Sequence, residues 1–196
     1  MLRVSQLRGF NRLPQAWNMM PAWNQSPLTS DIGGWTNYTV RAFFNPAGFN
    51  PAFTPALPQF VFFATFGAAS GGTGIGNMWV GPAAAGAPSS SNLNAQPLTR
   101  VTAGRANSWT APAGTSNWTD IIQFLWDKRT WLYVGWYVTT TNMRFIGGIT
   151  PQSTYWFRAG VDESGSPLVD ASQYAQQGSG GNAMALISQV GLQDGR

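Results

Sequence analysis

Apolar and polar positions alternate with a period of two at several places along this chain. Trp35, Tyr38, Val40, Ala42 and Phe44 approach the alternation of a half-buried strand, whereas residues 59–66 (QFVFFATF) form the continuous apolar run of a strand covered on both faces. Strand-like segments recur at 77–80, 97–102, 107–111, 130–140 (TWLYVGWYVTT), 143–150 and 154–161. They are rich in Val, Tyr, Phe, Trp and Thr and are separated by clusters of Gly, Pro, Asn and Ser. This pattern predicts an all-β protein, an antiparallel β-sandwich or jelly-roll-like single domain. Thr140, Thr141 and Asn142 are placed to turn a tight hairpin between the two long strands that flank them.

Helical periodicity is confined to short stretches. In residues 120–128, capped by Asn117 or Thr119, a helix would present Ile121, Ile122, Leu125 and Trp126 on one side, and a strand reads equally well. Residues 171–177 and 183–190 carry weak helical patterns. A helix over residues 2–13 would set Leu2, Val4, Leu7, Phe10 and Leu13 opposite Ser5, Arg8, Gly9 and Arg12, and Pro14 would stop it. Three regions follow: an N-terminal arm (1–32), a β body (33–161) and a C-terminal tail (162–196).

Two connections, residues 45–58 and 81–96, are long for a compact domain, where the median is about four to six residues. Loops of this length and apolar character bind something or lie against a neighbour. The first contains a tandem repeat: Phe44-Asn45-Pro46-Ala47, Phe49-Asn50-Pro51-Ala52 and Phe53-Thr54-Pro55-Ala56. Each proline fixes its own φ and biases its predecessor to extended geometry, so the segment is expected to form a polyproline-like or turn-rich ribbon displaying Phe44, Phe49 and Phe53. It is read as a strap entering pockets on a neighbouring subunit, or as a loop folded over its own core.

Composition narrows the chemistry. The 196 residues contain no His and no Cys, which removes Ser-His-Asp and Cys-His nucleophiles, His/Cys zinc sites and disulfides. The glycine run Gly71-Gly72-Thr73-Gly74-Ile75-Gly76 lacks both GxGxxG spacing and a Gly-Lys-Ser/Thr ending, and reads as a flexible turn. Among the seven acids, Asp162 and Glu163 are adjacent and would point apart in a strand, while Asp120 and Asp127 have no supporting context. No catalytic residue, cofactor or metal ligand is assigned, and the expectation is a protein that is not an enzyme. The N-x-S/T sequons at Asn24, Asn37 and Asn117 are read as chance in an Asn/Thr-rich chain.

Only 9% of residues are charged, against roughly 25% in an average soluble domain. Residues 1–30 hold three arginines and no acid. This arm also repeats Ala-Trp-Asn, at Trp17 and at Trp23, around Met19 and Met20. Protein contact through Trp17 and Trp23 is one reading of the arm, and weak nucleic-acid contact through Arg3, Arg8 and Arg12 is another; a lipid surface or plain solvation are further ones. Neither a signal peptide nor a membrane-spanning segment is expected, the longest apolar stretch falling short of the roughly 18 residues a helix needs.

A charge-poor β body with a basic arm, Pro/Phe loops and a Gly/Ser tail resembles viral jelly-roll shells in composition and architecture. That resemblance implies a virion structural protein of a bacteriophage (capsid, minor capsid, cement or tail component), assembled in the host cytoplasm. Its partners would be copies of itself or other virion proteins, joined through Phe44, Phe49, Phe53, Trp17 and Trp23. The alternative is a carbohydrate- or receptor-binding module of a phage spike or tail, with Trp109 and Trp118 stacking on sugar rings. Trp131, Trp136 and Trp156 fall in strand-like segments and are assigned to the core.

Overall fold

Among the described residues, fourteen strands run in the order Trp17–Pro21 (β1), Pro27–Ile32 (β2), Tyr38–Phe44 (β3), Gln59–Gly67 (β4), Thr73–Pro82 (β5), Thr99–Arg100 (β6), Trp109–Ala111 (β7), Ser116–Trp118 (β8), Ile122–Leu125 (β9), Leu132–Val138 (β10), Met143–Ile146 (β11), Ser153–Ala159 (β12), Ala175–Gln176 (β13) and Ile187–Gln193 (β14). The structure is a computed structural model and describes residues 17–21, 27–32, 36–48, 59–67, 73–84, 86–111, 116–120, 122–126, 129–139, 143–146, 153–176 and 187–193. Among these residues there is no α-helix, and every ladder is antiparallel. The chain is all-β.

A seven-stranded sheet has the order β13-β12-β3-β10-β5-β6, with β7 also on β5. A five-stranded sheet follows β1-β14-β4-β8, with β9 also on β4, and β2 pairs with β11 in a separate ribbon. The register of the larger sheet explains its burial. Val40 sits opposite Trp136, and Trp136 opposite Met78; the next row of this face sets Ala42, Val134 and Val80 side by side. These side chains are all 0% exposed. The intervening positions place Thr39, Arg41 and Phe43 on the other face, beside Tyr137, Gly135 and Tyr133.

That second face is covered by the chain's own connections. Ala83 bridges Ala95, the Ala84 amide donates to the Asn94 carbonyl, and the Gln96 amide donates to the Pro82 carbonyl. The excursion from 83 to 95 therefore closes on itself and sends Leu93 and Ala95 inward. With Phe43, Tyr133, Trp156, Ala171 and Tyr174 they form one buried cluster, flanked by Leu98, Trp131 and Val169. Each large apolar side chain buried this fully contributes roughly 1.5–3 kcal/mol. Within residues 81–96, Ala83, Leu93 and Ala95 pack onto their own sheet.

Several other expectations change. The segment 35–44 was expected to be half-buried, yet Thr39 through Phe44 are all buried, because loops cover the face that alternation assigned to solvent. Of the two readings left open for residues 120–128, the described part takes the strand, 122–125 pairing with β4. Residues 171–173 are a single turn of 3-10 helix, 175–176 a strand, and 187–193 the strand β14, so neither tail pattern is α-helical where it is described. Residues 140–142, expected to turn a hairpin, lie outside the described residues, and the strands that flank them pair elsewhere: β10 has β3 on one edge and β5 on the other, and β11 pairs with β2. Nor is Gly74-Ile75-Gly76 a turn, since all three residues lie in β5. A Cβ on Gly76 would fall 2.9 Å from Thr139 Cγ2, so glycine there admits its neighbour's side chain.

Candidate functional site

The most elaborate polar arrangement among the described residues is centred on Arg41, in the middle of β3. Strand alternation points its side chain into the loop-covered face, where it is 0% exposed. Such a cation is costly to bury unless its donors are satisfied. Here Nε donates to the Leu93 carbonyl (3.0 Å), Nη1 to the carbonyls of Glu163 (2.9 Å) and Ser166 (3.2 Å), and Nη2 also to Ser166. The guanidinium lies 4.3 Å from the centroid of the Tyr133 ring. One planar fork thus holds two separate connections, 83–95 and 161–166, against the sheet.

Tyr133 grips the same loop, its hydroxyl donating to the Ser164 carbonyl at 2.6 Å. Gly135 makes this possible: a Cβ there would lie 1.7 Å from the Tyr133 hydroxyl oxygen and 2.8 Å from the Ser164 carbonyl oxygen. Burial pushes the Tyr133 phenol up to about 12, against the pull of the Arg41 charge. Around this centre, Glu163 accepts from Arg158 (2.7 Å) on one carboxylate oxygen and from Tyr174 (2.8 Å) on the other. Burial, and then the bond to Glu163, raises the Tyr174 phenol as well. Asp162 turns away to Asn77 and to the amide and hydroxyl of Ser164, so the two neighbouring acids do point apart, although from a loop and not a strand. The Thr39 hydroxyl donates to the Val161 carbonyl and accepts from the Glu163 amide.

A second acid closes a different turn. Asp120 accepts from the Thr102 hydroxyl (2.6 Å) and from the amides of Gly104 (3.0 Å) and Arg105 (2.7 Å). Gly104 and Arg105 have φ of 57° and 65°, the left-handed pair of a tight two-residue turn between the bridged Ala103 and Ala106. The Thr102 hydroxyl, then the Arg105 amide, holds the Asp120 carboxyl below its ordinary range.

These groups position loops. The donors and acceptors of the Arg41 cluster answer one another, and among the described residues no group of three His, Cys, Asp or Glu is arranged to hold a metal ion. The chain matches no protein-family model and no curated protein. Among the described residues no helix is long and apolar enough to cross a membrane, a statement that leaves β-barrels aside.

The residues singled out from sequence fall in different places. Phe44 is 1% exposed in β3, its ring edge-on to Tyr155 at 6.4 Å, so it belongs to the interior of its own sheet. Of the two forms expected for the Pro/Phe repeat, its first unit takes the turn: Asn45 Oδ1 accepts the Ala47 amide, and Pro46–Gly48 is a 3-10 turn. Phe49 and Phe53 lie outside the described residues, as do Trp23, Arg3, Arg8 and Arg12. Trp17 opens β1, opposite Gln193. Trp109 is half-buried on β7 opposite Ile75, and Trp118 lies on β8 opposite Thr65. Trp136 and Trp156 are buried, and Trp131 packs against the cluster beneath the loops.

Arg41 was not singled out from the sequence, because it falls between the alternating apolar positions Val40 and Ala42. One signal was available: Gly135, in the middle of an aromatic strand, marks a place where another part of the chain approaches closely.

Proposed function

We propose that this chain is a structural protein of a virion, a capsid, minor capsid, cement or tail component of a bacteriophage. In this reading the five-stranded sheet packs over the apolar face of the seven-stranded sheet as a sandwich or jelly roll, because a face as apolar as that of Val40, Val80, Val134 and Trp136 needs a second layer. The observation that carries the proposal is how the few charges are spent. Arg41 is buried on carbonyls, Arg158 and Glu163 pair with each other, Arg100 lies 4.6 Å over the Trp79 ring, and Asp120 and Asp170 accept from their own turns. With 9% charged residues, and Arg41 taken wholly into the interior, little charge is left to keep an outer surface wetted. A surface of that kind suits a subunit covered by neighbours, where burial at roughly 25 cal/mol per Å² offsets the ordering of arm and loops.

Sedimentation velocity across a concentration series, with electron microscopy of the heaviest fraction, tests this. The expected result is reversible growth into large, regular particles, either alone or with companion virion proteins. A chain that stays monomeric at high concentration in both settings overturns the proposal. A monomer whose glycan binding is lost on Trp109→Ala or Trp118→Ala replaces it with receptor recognition.

A further inference from the structure

The two strands supplied by the N-terminal region pair only with strands far away in sequence. β1 meets β14 in unbroken register, from Trp17 opposite Gln193 to Pro21 opposite Gln189. β2 meets β11, with Ile32 opposite Met143 and the oppositely charged Asp31 and Arg144 directly across from each other. Neither strand pairs with the other, and neither enters the seven-stranded sheet. β1 closes the order of its sheet, bonded to β14 alone among the described strands.

A hairpin strand is held to its partner by its own turn. β1 has no such tether, since almost the whole chain separates it from β14 and the ladder itself is the connection. The β14 of a second copy offers β1 the same five register pairs, so exchange between copies conserves the contacts and is decided by the connecting segment and by local concentration. The ribbon that follows β1 does little to keep the arm on its own chain, because two strands alone are marginal in water. The backbone register of β2 on β11 is likewise available in any copy.

We propose that β1 is exchanged: residues 17–21 of one copy add as the edge strand to β14 of a neighbouring copy, so that the partner is a second copy of this chain. The inference rests on the assembly reading above and names the surface through which assembly proceeds.

The absence of cysteine makes the test direct. Asn18 lies opposite Leu192 and Met19 opposite Gly191, and adjacent register pairs alternate between wide and narrow spacing, so one of the two pairs is narrow. Both spacings, about 4.5 and 5.5 Å between Cα atoms, lie within disulfide reach. The full-length double variants Asn18→Cys/Leu192→Cys and Met19→Cys/Gly191→Cys are oxidised in the assembled fraction and run on non-reducing gels. Asn18→Cys chains mixed with Leu192→Cys chains form a companion sample. The expected result is covalent dimers and longer chains from the double variants, and a dimer from the mixture. A crosslink closed within one chain, or none from either pair, overturns the exchange. Sedimentation of the same samples separates the two ideas: particles held without interchain crosslinks leave the assembly reading standing, whereas monomers throughout remove both.

Discussion

The Arg41 guanidinium lies 4.3 Å from the Tyr133 ring centroid, and the two side chains hold one loop from the same side, Arg41 by the carbonyls of Glu163 and Ser166 and Tyr133 by that of Ser164. Arg41→Met keeps much of the volume but leaves buried carbonyls without donors. The expected loss is about 3 kcal/mol in urea denaturation, a large share of a typical domain's 5–15 kcal/mol. Arg41→Lys, a point charge without a fork, is expected to fall between the two. A Met variant as stable as the parent would remove the clamp from this account.

Gly135→Ala tests the same contact from beneath. Its Cβ would fall 1.7 Å from the Tyr133 hydroxyl oxygen and 2.4 Å from Cζ, both on a ring held by packing. Overpacking of this kind costs about 1–3 kcal/mol. Tyr133→Phe removes the closer atom, so the double variant is expected to lose less than the sum of the single changes. Strict additivity in a double-mutant cycle would show that the two positions do not touch.

The central strands were legible in the sequence because aromatic and β-branched residues crowd 38–44, 132–138 and 153–159. What escaped was set by distant segments. The roof over Arg41 comes from loops 52 and 122 residues further along the chain, beyond the reach of any local pattern. A helix at 120–128 and a strand at 122–125 share the same few apolar positions, and pairing with β4 decided between them. A hairpin between the strands on either side of 140–142 was suggested by their adjacency in sequence, yet a central strand such as β10 has no free edge to offer β11.

Alkaline pH is expected to loosen the clamp. The Tyr133 phenol rises from 10.0 to about 12 in the folded chain, so its contribution is complete below pH 10 and is lost as pH climbs from 10 toward 12. The linkage is worth roughly 2–3 kcal/mol over that window. Denaturation at about pH 9 and about pH 11.5 should show the drop, and Tyr133→Phe should flatten it, leaving the part due to Tyr174. An identical drop in the variant would assign the effect elsewhere.

Asp120 works in the opposite direction. Its folded carboxyl is held below the ordinary value, chiefly by Thr102, so the stability it lends to the 102–106 turn is present at neutral pH and is lost as acid protonates it. The amide resonances of Gly104 and Arg105, which donate to it, should titrate together with a midpoint below that of a free aspartate. Asp120→Asn should abolish that titration and cost about 1 kcal/mol.

The phenylalanines of the Pro/Phe repeat should separate into two kinds. Phe44 is 1% exposed and edge-on to Tyr155, so Phe44→Ala is expected to destabilise the fold by about 3–5 kcal/mol whatever the state of assembly. Phe49 and Phe53 carry the strap reading, in which their rings enter a neighbour. Changing both to Ser should leave the unfolding free energy of the dissociated subunit within about 0.5 kcal/mol of the parent and shift sedimentation toward the free subunit. The two measurements together discriminate: a loop folded over its own core loses stability on Phe49→Ser/Phe53→Ser, a strap loses assembly. Loss of stability with assembly unchanged would move both residues to the interior alongside Phe44.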